Sequence, residues 1–522
     1  MIVSDTRAGV LSTHDDGVQS IRPRAGLIVA SGDDDDVASG RLCLESPWGR
    51  YALGSMSQAA QEALTVWVRA GGEDLDSVLA SATEPVRRQV FGTLHRLRHL
   101  VTRTFHSLSD GSRVHAGLQP LTATASYTVD GLTDEGLVRL ADSSYLRSYQ
   151  GALVLESPLT AHRAALYSAT ARQWLTSLAD WRPLCELDGF DAAAELRVLT
   201  KHLHAAGFLA YEPASSEPGA LAASMPEMWS FHDLLFHSRS RFGRHDYPFG
   251  ATFAHLGTVP PEPAVRVSPT ADGAGARIPL YRPDWDTVME RDPSLTVALE
   301  GRTSRRKSGA QPLSVRQLGE FLYRVGRIRG FSPPVPGVPY ETTSRPYPGG
   351  GAAYELELYA TVTRCSGLAS GIYHYDPDRH ELVQINKDPR LVEAVSHAAQ
   401  IATGGTAEPD VVFSVTSRMR RLSWKYESMA YATTLKNVGA LYQTMYLVGT
   451  AMRLAPCALG SGNADLVAEA TGNDYLYECS VGEFILSSLD PAEGKTTSIG
   501  ARDVNSADWV RRARALLEDE SQ

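Results

Sequence analysis

The second half of the chain shows two different spacings of its hydrophobic residues. Helical spacing predicts a helix over 314–330, ending at Gly330, and a long helix over 431–454, ended by Pro456. Alternation predicts a strand over 354–365, and an apolar run predicts another over 409–418. Further strands are predicted in GIYHYDP, HELVQI and YECSVGEFILSS. The pattern indicates an α+β domain in which an antiparallel sheet carries the long helix. The apolar stripe of that helix comprises Leu435, Val438, Tyr442, Met445 and Val448.

The first half contains an internal repeat. Residues Leu42–Pro47 (LCLESP) reappear as Leu153–Pro158 (LVLESP), and each copy indicates a short strand ended by a proline turn. An amphipathic segment follows each copy, and each copy closes on a further helix, within 91–101 and 196–211. This order predicts two tandem winged-helix-like domains. Two interpretations stay open: both domains serve packing only, or they capture a peptide by strand addition beside a helix groove.

Stretches rich in Gly, Pro, Ser and Asp separate these predicted units. Residues 1–38 are interpreted as a mobile N-terminal segment, and 213–227 and 257–283 as linker sequence. The predicted organisation is a mobile segment (1–38), winged-helix-like domain 1 (39–118), winged-helix-like domain 2 (119–212), a connecting segment (213–283) and a C-terminal α/β domain (284–522).

Composition narrows the functional classes. Hydrophobic residues make up 43% and charged residues 21%, as in globular proteins, and the formal net charge is −10. This acidity argues against nucleic acid or an anionic membrane as the partner. The five cysteines include no C-x-x-C pair, which favours a reducing cytoplasm. We expect no signal peptide and no transmembrane span, because no basic segment precedes an apolar core and no apolar run is long enough.

The sequence motifs of metal and dinucleotide-binding sites are absent. The sequence has no H-E-x-x-H motif, and His232 and His237 are five residues apart, off the spacing at which one helix face shares a metal. No metal is therefore predicted. There is no G-x-G-x-x-G motif, since Asp465 stands where Gly460 and Gly462 would need a third glycine. Glycines have another use beside a flat ring, because without a Cβ the backbone can approach it closely.

Two short motifs contain residue types that can bind a phosphate or transfer a proton. RTSRR (302–306) places three arginines just before a helix, and the planar guanidinium forms paired hydrogen bonds with phosphate. Lys425 and Tyr426 lie between a strand and the long helix, and they can serve as a proton-transfer pair if burial pulls the lysine pKa below its usual value. The alternative interpretations are that the arginines form an ordinary surface cluster and that the Lys-Tyr pair has no function.

Four ordered blocks resemble the SagB-type thiazole/oxazole-forming peptide dehydrogenases of the FMN-dependent nitroreductase superfamily. The blocks are WSFHDLLFHSRSRFGR (229–244), RTSRR (302–306), RPYPGGGAAYELELY (345–359) and the run from Lys425 to Gly462. Gly349 stands where the family has serine. The LESP repeats are also typical of fused family members, so the resemblance covers most of the chain from about residue 40.

The resemblance implies FMN as cofactor. It implies that Arg302, Ser304 and Arg306 bind the FMN phosphate and ribityl chain. It places Pro348, Gly349, Gly350, Gly351, Gly460, Ser461 and Gly462 along the flavin, and makes Lys425 and Tyr426 the catalytic proton-transfer residues. One departure is Glu483, near the position where nitroreductases often have a late Arg or Lys on the phosphate. Arg418, Arg420 and Arg421 are candidates to replace it.

The predicted function is FMN-dependent oxidation of thiazoline or oxazoline rings in a ribosomally made peptide. The expected partners are an azoline-containing precursor peptide, a cyclodehydratase and a second copy of the chain in a homodimer. Two alternatives remain: a general NAD(P)H-dependent nitro or quinone reductase, and a non-catalytic peptide-binding scaffold for a cyclodehydratase.

Overall fold

The structure is a computed structural model that describes residues 18–30, 42–54, 56–71, 74–129, 131–214, 227–266, 275–405, 408–490 and 507–518. The chain divides into two compact units, Met1–Tyr247 and Pro248–Gln522. Among the described residues, no helix is long and apolar enough to cross a membrane.

The first unit contains the predicted repeat. The first copy consists of β1 (Gln19–Pro23), β2 (Ile28–Val29), β3 (Cys43–Ser46), β4 (Gly49–Ala52), α1 (Gln58–Ala70), α2 (Leu75–Val78), α3 (Glu84–Arg96) and β5 (Val101–His106). After β6 (Val114–Pro120), the second copy consists of β7 (Leu137–Leu140), β8 (Tyr145–Tyr149), β9 (Ala152–Glu156), β10 (His162–Leu166), α4 (Ala169–Ser177), β11 (Arg182–Pro183), α5 (Ala193–Ala205) and β12 (Leu209–Glu212). The helix α6 (Phe231–Arg239) follows.

Equivalent local signals start the first helix of each copy. Ser57 caps α1 and Ser168 caps α4, each accepting a hydrogen bond from a backbone N–H of the first turn. Each helix then buries a tryptophan, Trp67 in α1 and Trp174 in α4. Strands from both copies join in one six-stranded sheet of order β1-β5-β6-β10-β9-β8. The copies therefore share a sheet, and a winged-helix arrangement of each copy stays a prediction.

The structure differs from the sequence interpretation at both ends of this unit. Gln19–Pro23 falls in the predicted mobile segment, yet it forms β1, which pairs with β5 and buries Ile21. Phe231–Arg239 falls in the predicted connecting segment, yet it forms α6, capped by Ser230. Composition did not predict β1 because this strand forms by pairing with β5, some 80 residues away, and such pairing has no local signal in the sequence.

A buried ion cluster surrounds the second LESP glutamate. Glu156 is fully buried and accepts hydrogen bonds from Arg147 (2.8 Å), Arg163 (2.6 Å) and Tyr247. Burial alone would raise the Glu156 pKa, but these donors outweigh burial and lower it to about 2. Its counterpart in the first copy, Glu45, is exposed.

The second unit is built on a seven-stranded sheet of order β14-β19-β18-β17-β20-β23-β22, antiparallel throughout. Its strands are β14 (Arg277–Pro279), β17 (Leu356–Val362), β18 (Gly371–Asp376), β19 (Glu381–Asn386), β20 (Val411–Arg418), β22 (Leu454–Leu459) and β23 (Glu478–Ser488). Smaller pairs join β13 (Gly250–Ala251) to β21 (Tyr426–Glu427), and β15 (Gly330–Ser332) to β16 (Thr342–Ser344). The predicted antiparallel sheet is confirmed.

The described helices of this unit are α7 (Trp285–Arg291), α8 (Leu295–Gly301), α9 (Val315–Gly326), α10 (Pro389–Ala402), α11 (Met419–Ser423), α12 (Ala430–Ala451), α13 (Ala464–Thr471) and α14 (Ala507–Glu518). The predicted central helix is α12, and it packs with α9 on one sheet face, through Leu441, Phe321 and their neighbours. Leu435 is 39% exposed, so the predicted apolar stripe is wrong at that position.

Both predicted helix ends need correction. A capping box between Ser314 and Gln317 starts α9, but the helix stops at Gly326, and Gly330 already belongs to β15. Helix α12 stops at Ala451, three residues before β22 begins. Pro456 lies within β22, which is an edge strand, where a residue without an N–H is tolerated.

Candidate active site

Lys425 and Tyr426 lie outside any helix, between α11 and α12. Tyr426 belongs to β21, which pairs with β13, and the backbone N–H of Phe253 donates to the Lys425 carbonyl at 3.2 Å. A Cβ built on Gly351 would lie 2.7 Å from both Lys425 Nζ and the Tyr426 hydroxyl. The two side chains therefore converge on one glycine, although they are adjacent in sequence.

The Lys425 ammonium is held by an aromatic hydroxyl that the sequence did not single out. Lys425 Nζ donates to the Tyr340 hydroxyl at 2.7 Å, and Tyr340 donates in turn to the Gly351 carbonyl at 2.7 Å. The ring centres of Tyr340 and Tyr426 each lie 5.0 Å from Nζ, and that of Phe253 lies 5.8 Å away. Ring faces at this distance attract a cation.

This environment shifts the Lys425 pKa in two opposite directions. Burial lowers the pKa, as the sequence interpretation assumed. Hydrogen bonds and charge interactions with Tyr340 and Tyr426 outweigh burial, so the net result is a raised pKa. The structure therefore favours the charged form of Lys425, and the condition of a lowered pKa, on which the sequence-based role as a proton-transfer pair depended, is not met.

The glycine turn Gly349–Gly351 lies between these residues and the start of α12. Gly351 has a φ of 63°, a conformation that residues with a Cβ rarely adopt. The Gly350 N–H donates to the Asn437 side chain at 3.1 Å, and Asn437 is fixed by the fully buried carboxylate of Glu355 at 2.9 Å. The turn is therefore anchored to α12 from one side and faces Lys425 from the other. Pro348, just before it, is exposed.

The arginine segment lies near the other end of α12. Ser304 forms a 2.8 Å hydrogen bond with the Tyr446 hydroxyl, which also accepts from the Ala458 N–H at 2.8 Å. The Arg302 guanidinium lies over the Tyr446 ring, 5.1 Å from its centre, and Arg306 is exposed. Two guanidiniums and a hydroxyl form a donor set that suits a phosphate group.

The second predicted glycine turn, Gly460–Gly462, is exposed and connects β22 to α13. A Cβ on Gly462 would meet the Glu483 carboxyl, so this side chain lies directly against the turn. Burial raises the Glu483 pKa. Because Ala458, two residues before Gly460, contacts Tyr446, this turn lies on the side of the arginine segment.

The predicted site residues thus form two groups along one helix. Lys425 and Tyr426 meet the glycine turn, which Gly350 connects to Asn437. Arg302 and Ser304 contact Tyr446, to which Ala458, just before the 460–462 turn, also donates. Nine residues of helix separate Asn437 from Tyr446, which is about 14 Å. A phosphate donor set at one place and close-approach glycines at the other fit the two ends of an FMN.

The candidates for a replacement phosphate arginine are engaged elsewhere. Arg418 donates to the carbonyls of Pro263 and Ala264, at 3.0 and 3.1 Å. Arg421 donates to the carbonyl of Glu262 at 2.6 Å, and burial lowers its pKa to about 10. Both arginines hold the 262–264 backbone, and the Arg420 guanidinium lies over the Tyr477 ring at 4.7 Å. Arg418 and Arg421 therefore have their donors on backbone carbonyls, whereas the replacement of the late phosphate residue by Arg420 stays a prediction.

Tyr340, Asn437 and Tyr446 are site residues that the sequence did not reveal. Each is adjacent in space to a predicted residue but about 10 to 140 positions away along the chain. Tyr446 could have been suspected, since it lies on the predicted central helix. The same holds for Asn437, whereas for Tyr340 the sequence carries no local signal.

Comparisons with known proteins define the class of the second unit. Residues 299–482 match the profile of the Nitroreductase family. A protein of Methanocaldococcus jannaschii named as a nitroreductase is 27% identical over 193 residues, which cover 36% of this chain and 86% of that protein. The second unit therefore contains a nitroreductase-like domain.

A more specific likeness involves peptide-modifying oxidases. Residues 138–246 match the profile of the cyanobactin oxidase ThcOx. The microcin B17-processing protein McbC of Escherichia coli is 26% identical over 182 residues, covering 32% of this chain and 60% of McbC. The E. coli microcin synthetase McbBCD complex with truncated pro-MccB17 aligns at 18% identity and a TM-score of 0.30, over 49% of this chain and 91% of that chain. These family and sequence matches confirm the resemblance to the SagB-type azoline oxidases of the nitroreductase superfamily.

Proposed function

We propose that this protein is an FMN-dependent dehydrogenase that oxidises thiazoline or oxazoline rings of a ribosomally made peptide to thiazoles or oxazoles. The observation that carries the proposal is the presence, in one chain, of a ThcOx match over 138–246 and a nitroreductase match over 299–482. The convergence of Lys425 and Tyr426 on the glycine turn supports it, because this oxidation needs groups that handle a proton.

The two hydrogens that the ring loses leave in different forms. The α C–H beside the C=N and the carbonyl leaves as a proton, and the neighbouring ring carbon gives up a hydride. FMN, when bound, supplies the hydride acceptor at its N5. Lys425 and Tyr426 would hold and move the proton at the glycine turn. Arg302, Ser304 and Arg306 would bind the FMN phosphate, with Pro348–Gly351 and Gly460–Gly462 along the cofactor.

The proposed peptide substrate also suggests partners. McbC is named as a microcin B17-processing protein, and the McbBCD structure contains a truncated pro-microcin. By analogy, the precursor peptide arrives with azolines installed by a cyclodehydratase, and the repeat unit contributes to peptide capture. The pairing of a peptide-oxidase match with a catalytic domain argues against a non-catalytic scaffold.

Mass spectrometry of an azoline-containing peptide tests this function. Incubation with the purified yellow protein should remove two hydrogens per ring, and the flavin colour should bleach anaerobically when the azoline peptide is added. A peptide of unchanged mass, with a flavin that the peptide does not reduce, would overturn the proposal.

The alternative is a general nitro or quinone reductase, which the M. jannaschii relative favours. That function predicts rapid anaerobic bleaching by NADPH and turnover of small nitroaromatics or quinones. We expect slow or no bleaching by NADPH alone, because the proposed electron donor is the azoline peptide itself.

A further inference from the structure

Tyr340 is the nearest hydrogen-bonding partner of the proposed proton-transfer lysine. It is only 3% exposed and precedes β16, outside all four sequence blocks that carry the family resemblance. Its hydroxyl lies between Lys425 Nζ and the Gly351 carbonyl, at 2.7 Å from each.

The direction of the two hydrogen bonds follows from their chemistry. A carbonyl can only accept, so the Tyr340 O–H donates to Gly351. The lone pairs of the phenol oxygen then face Lys425, and a protonated lysine has donors only. The relay Lys425 to Tyr340 to Gly351 is therefore complete when Lys425 carries its proton. It also ties the ammonium to the glycine turn.

The other groups around Lys425 reinforce the charged form. The rings of Phe253 and Tyr426 face Nζ. Glu427, next along β21, accepts a hydrogen bond from Thr252 at 2.6 Å. On the other side of Tyr340, the cation Arg421 lies 6.0 Å from the ring centre and interacts with the charges of Glu341 and Glu262.

We propose that Tyr340 is a positioning residue that holds the protonated Lys425 side chain against the Gly349–Gly351 turn and so controls when this lysine exchanges a proton. The proposal rests on the proposed function only for its catalytic consequence. In Tyr340→Phe the ring stays but the hydrogen bond is lost. Burial, which lowers the Lys425 pKa, then acts with less opposition, so the pKa should fall relative to wild type.

Competitive acetylation tests the proposal without any turnover. Only the unprotonated amine reacts with a trace of acetic anhydride, and the six lysines of the chain can be followed separately by peptide mass spectrometry. We expect Lys425 to become reactive at lower pH in Tyr340→Phe than in wild type. Lys387 and Lys436, which are exposed, serve as internal references whose profiles should not move. An unchanged Lys425 profile would overturn the proposal.

The pH dependence of azoline oxidation gives the second readout. In Tyr340→Phe we expect kcat to fall about tenfold with KM within about twofold, because Lys425 is displaced rather than removed. We also expect the limb of the kcat profile that depends on Lys425 to move to lower pH. Tyr323→Phe is the matched control, since its ring packs on His380, and it should leave the profile unchanged.

The possible outcomes distinguish the proposed function from the role proposed for Tyr340. A wild-type protein that does not oxidise azolines contradicts the proposed function, while the acetylation result still decides the role of Tyr340. If the wild type is active and Tyr340→Phe leaves the Lys425 acetylation profile unchanged, only the role of Tyr340 is overturned. A variant that retains FMN and native circular dichroism excludes misfolding as the cause of a shift.

Discussion

At the scale of single residues, backbone conformation decides what Lys425 and Tyr426 can reach. Adjacent residues in a regular helix point about 100° apart around its axis. In β21 and the residue before it, both side chains instead end beside Gly351. Because the pKa of Lys425 is raised, its side chain carries a proton and must give it up before it can accept another.

Substitution of this pair should abolish oxidation without loss of the fold. Lys425→Ala and Tyr426→Phe should retain FMN but lose about 10²- to 10⁴-fold in kcat, the usual contribution of acid–base groups. The exposed Lys436→Ala is the control and should keep wild-type activity. Turnover of azoline peptide by both variants at near wild-type rate would remove the catalytic assignment.

The two LESP glutamates should differ in their importance for stability. Glu156→Gln removes the buried carboxylate of Arg147 and Arg163 while Arg163 keeps Asp246, which costs up to about 3–5 kcal/mol. Glu45→Gln, at the equivalent exposed position, should change the free energy of unfolding by less than about 0.5 kcal/mol. Urea unfolding measures both values, and equal effects would contradict the prediction.

Because of the same carboxylate, we expect the stability of the first unit to depend on pH. The folded-state pKa of Glu156 is lowered from 4.5 to about 2, so its contribution is fully present above pH 4.5. That contribution should be lost as pH falls from about 4.5 towards 2, and Glu156→Gln should show a flatter acid limb than wild type.

At the scale of elements, the extended segment after α8 places the arginines beside α12. Arg305 donates its backbone N–H to the Pro456 carbonyl at 3.0 Å, which aligns the segment with β22. Ser304 then reaches Tyr446. A strand edge and a helix end thus hold the proposed phosphate donors, and the Asn437 contact holds the glycine turn on the same helix.

Loss of two of these donors should release the cofactor. Each charge-assisted contact contributes about 1.5–3 kcal/mol, so the double variant Arg302→Ala, Arg306→Ala should bind FMN at least about a hundredfold more weakly. Fluorescence titration of FMN measures the change. Arg316→Ala is the control, because that arginine stacks on Tyr281. FAD in the purified protein, or undiminished FMN affinity in the double variant, would count against the assignment.

At the scale of the whole molecule, the second unit exposes large apolar side chains on three helices. Trp285 and Met289 on α7 and Leu295 on α8 are each 65% exposed. On α12, Tyr431 and Leu435 are 42% and 39% exposed. The apolar face left on α12 is therefore restricted to its first two turns. Exposed apolar side chains that are grouped together on a surface mark interaction sites.

We predict that this surface contributes to a homodimer, with α12 in the contact. Leu435→Lys should weaken the dimer in sedimentation velocity, because a charge would be buried in the interface. Val66→Lys, on the exposed side of α1, is the matched control and should leave the oligomeric state unchanged. A wild-type monomer that still binds FMN would contradict the prediction.

Local patterns in the sequence were sufficient for the main elements of the second unit. The spacing of apolar residues placed α12, β17 and β20 within a few residues of their observed bounds. Duplication of LESP also revealed the repeat, since each copy carries its own strand and capped helix. These features depend on neighbours in sequence, and hydrophobic periodicity records them directly.

The composition of the site depended on the tertiary structure. The motif residues could be named from the sequence, but Tyr340, Asn437 and Tyr446 join them only because the sheet and α12 bring distant segments together. Long-range contacts also direct Arg418 and Arg421 to backbone carbonyls. Contacts of the same kind raise the Lys425 pKa. A residue's partners and its charge state are set by what surrounds it in space, and a linear pattern does not contain that information.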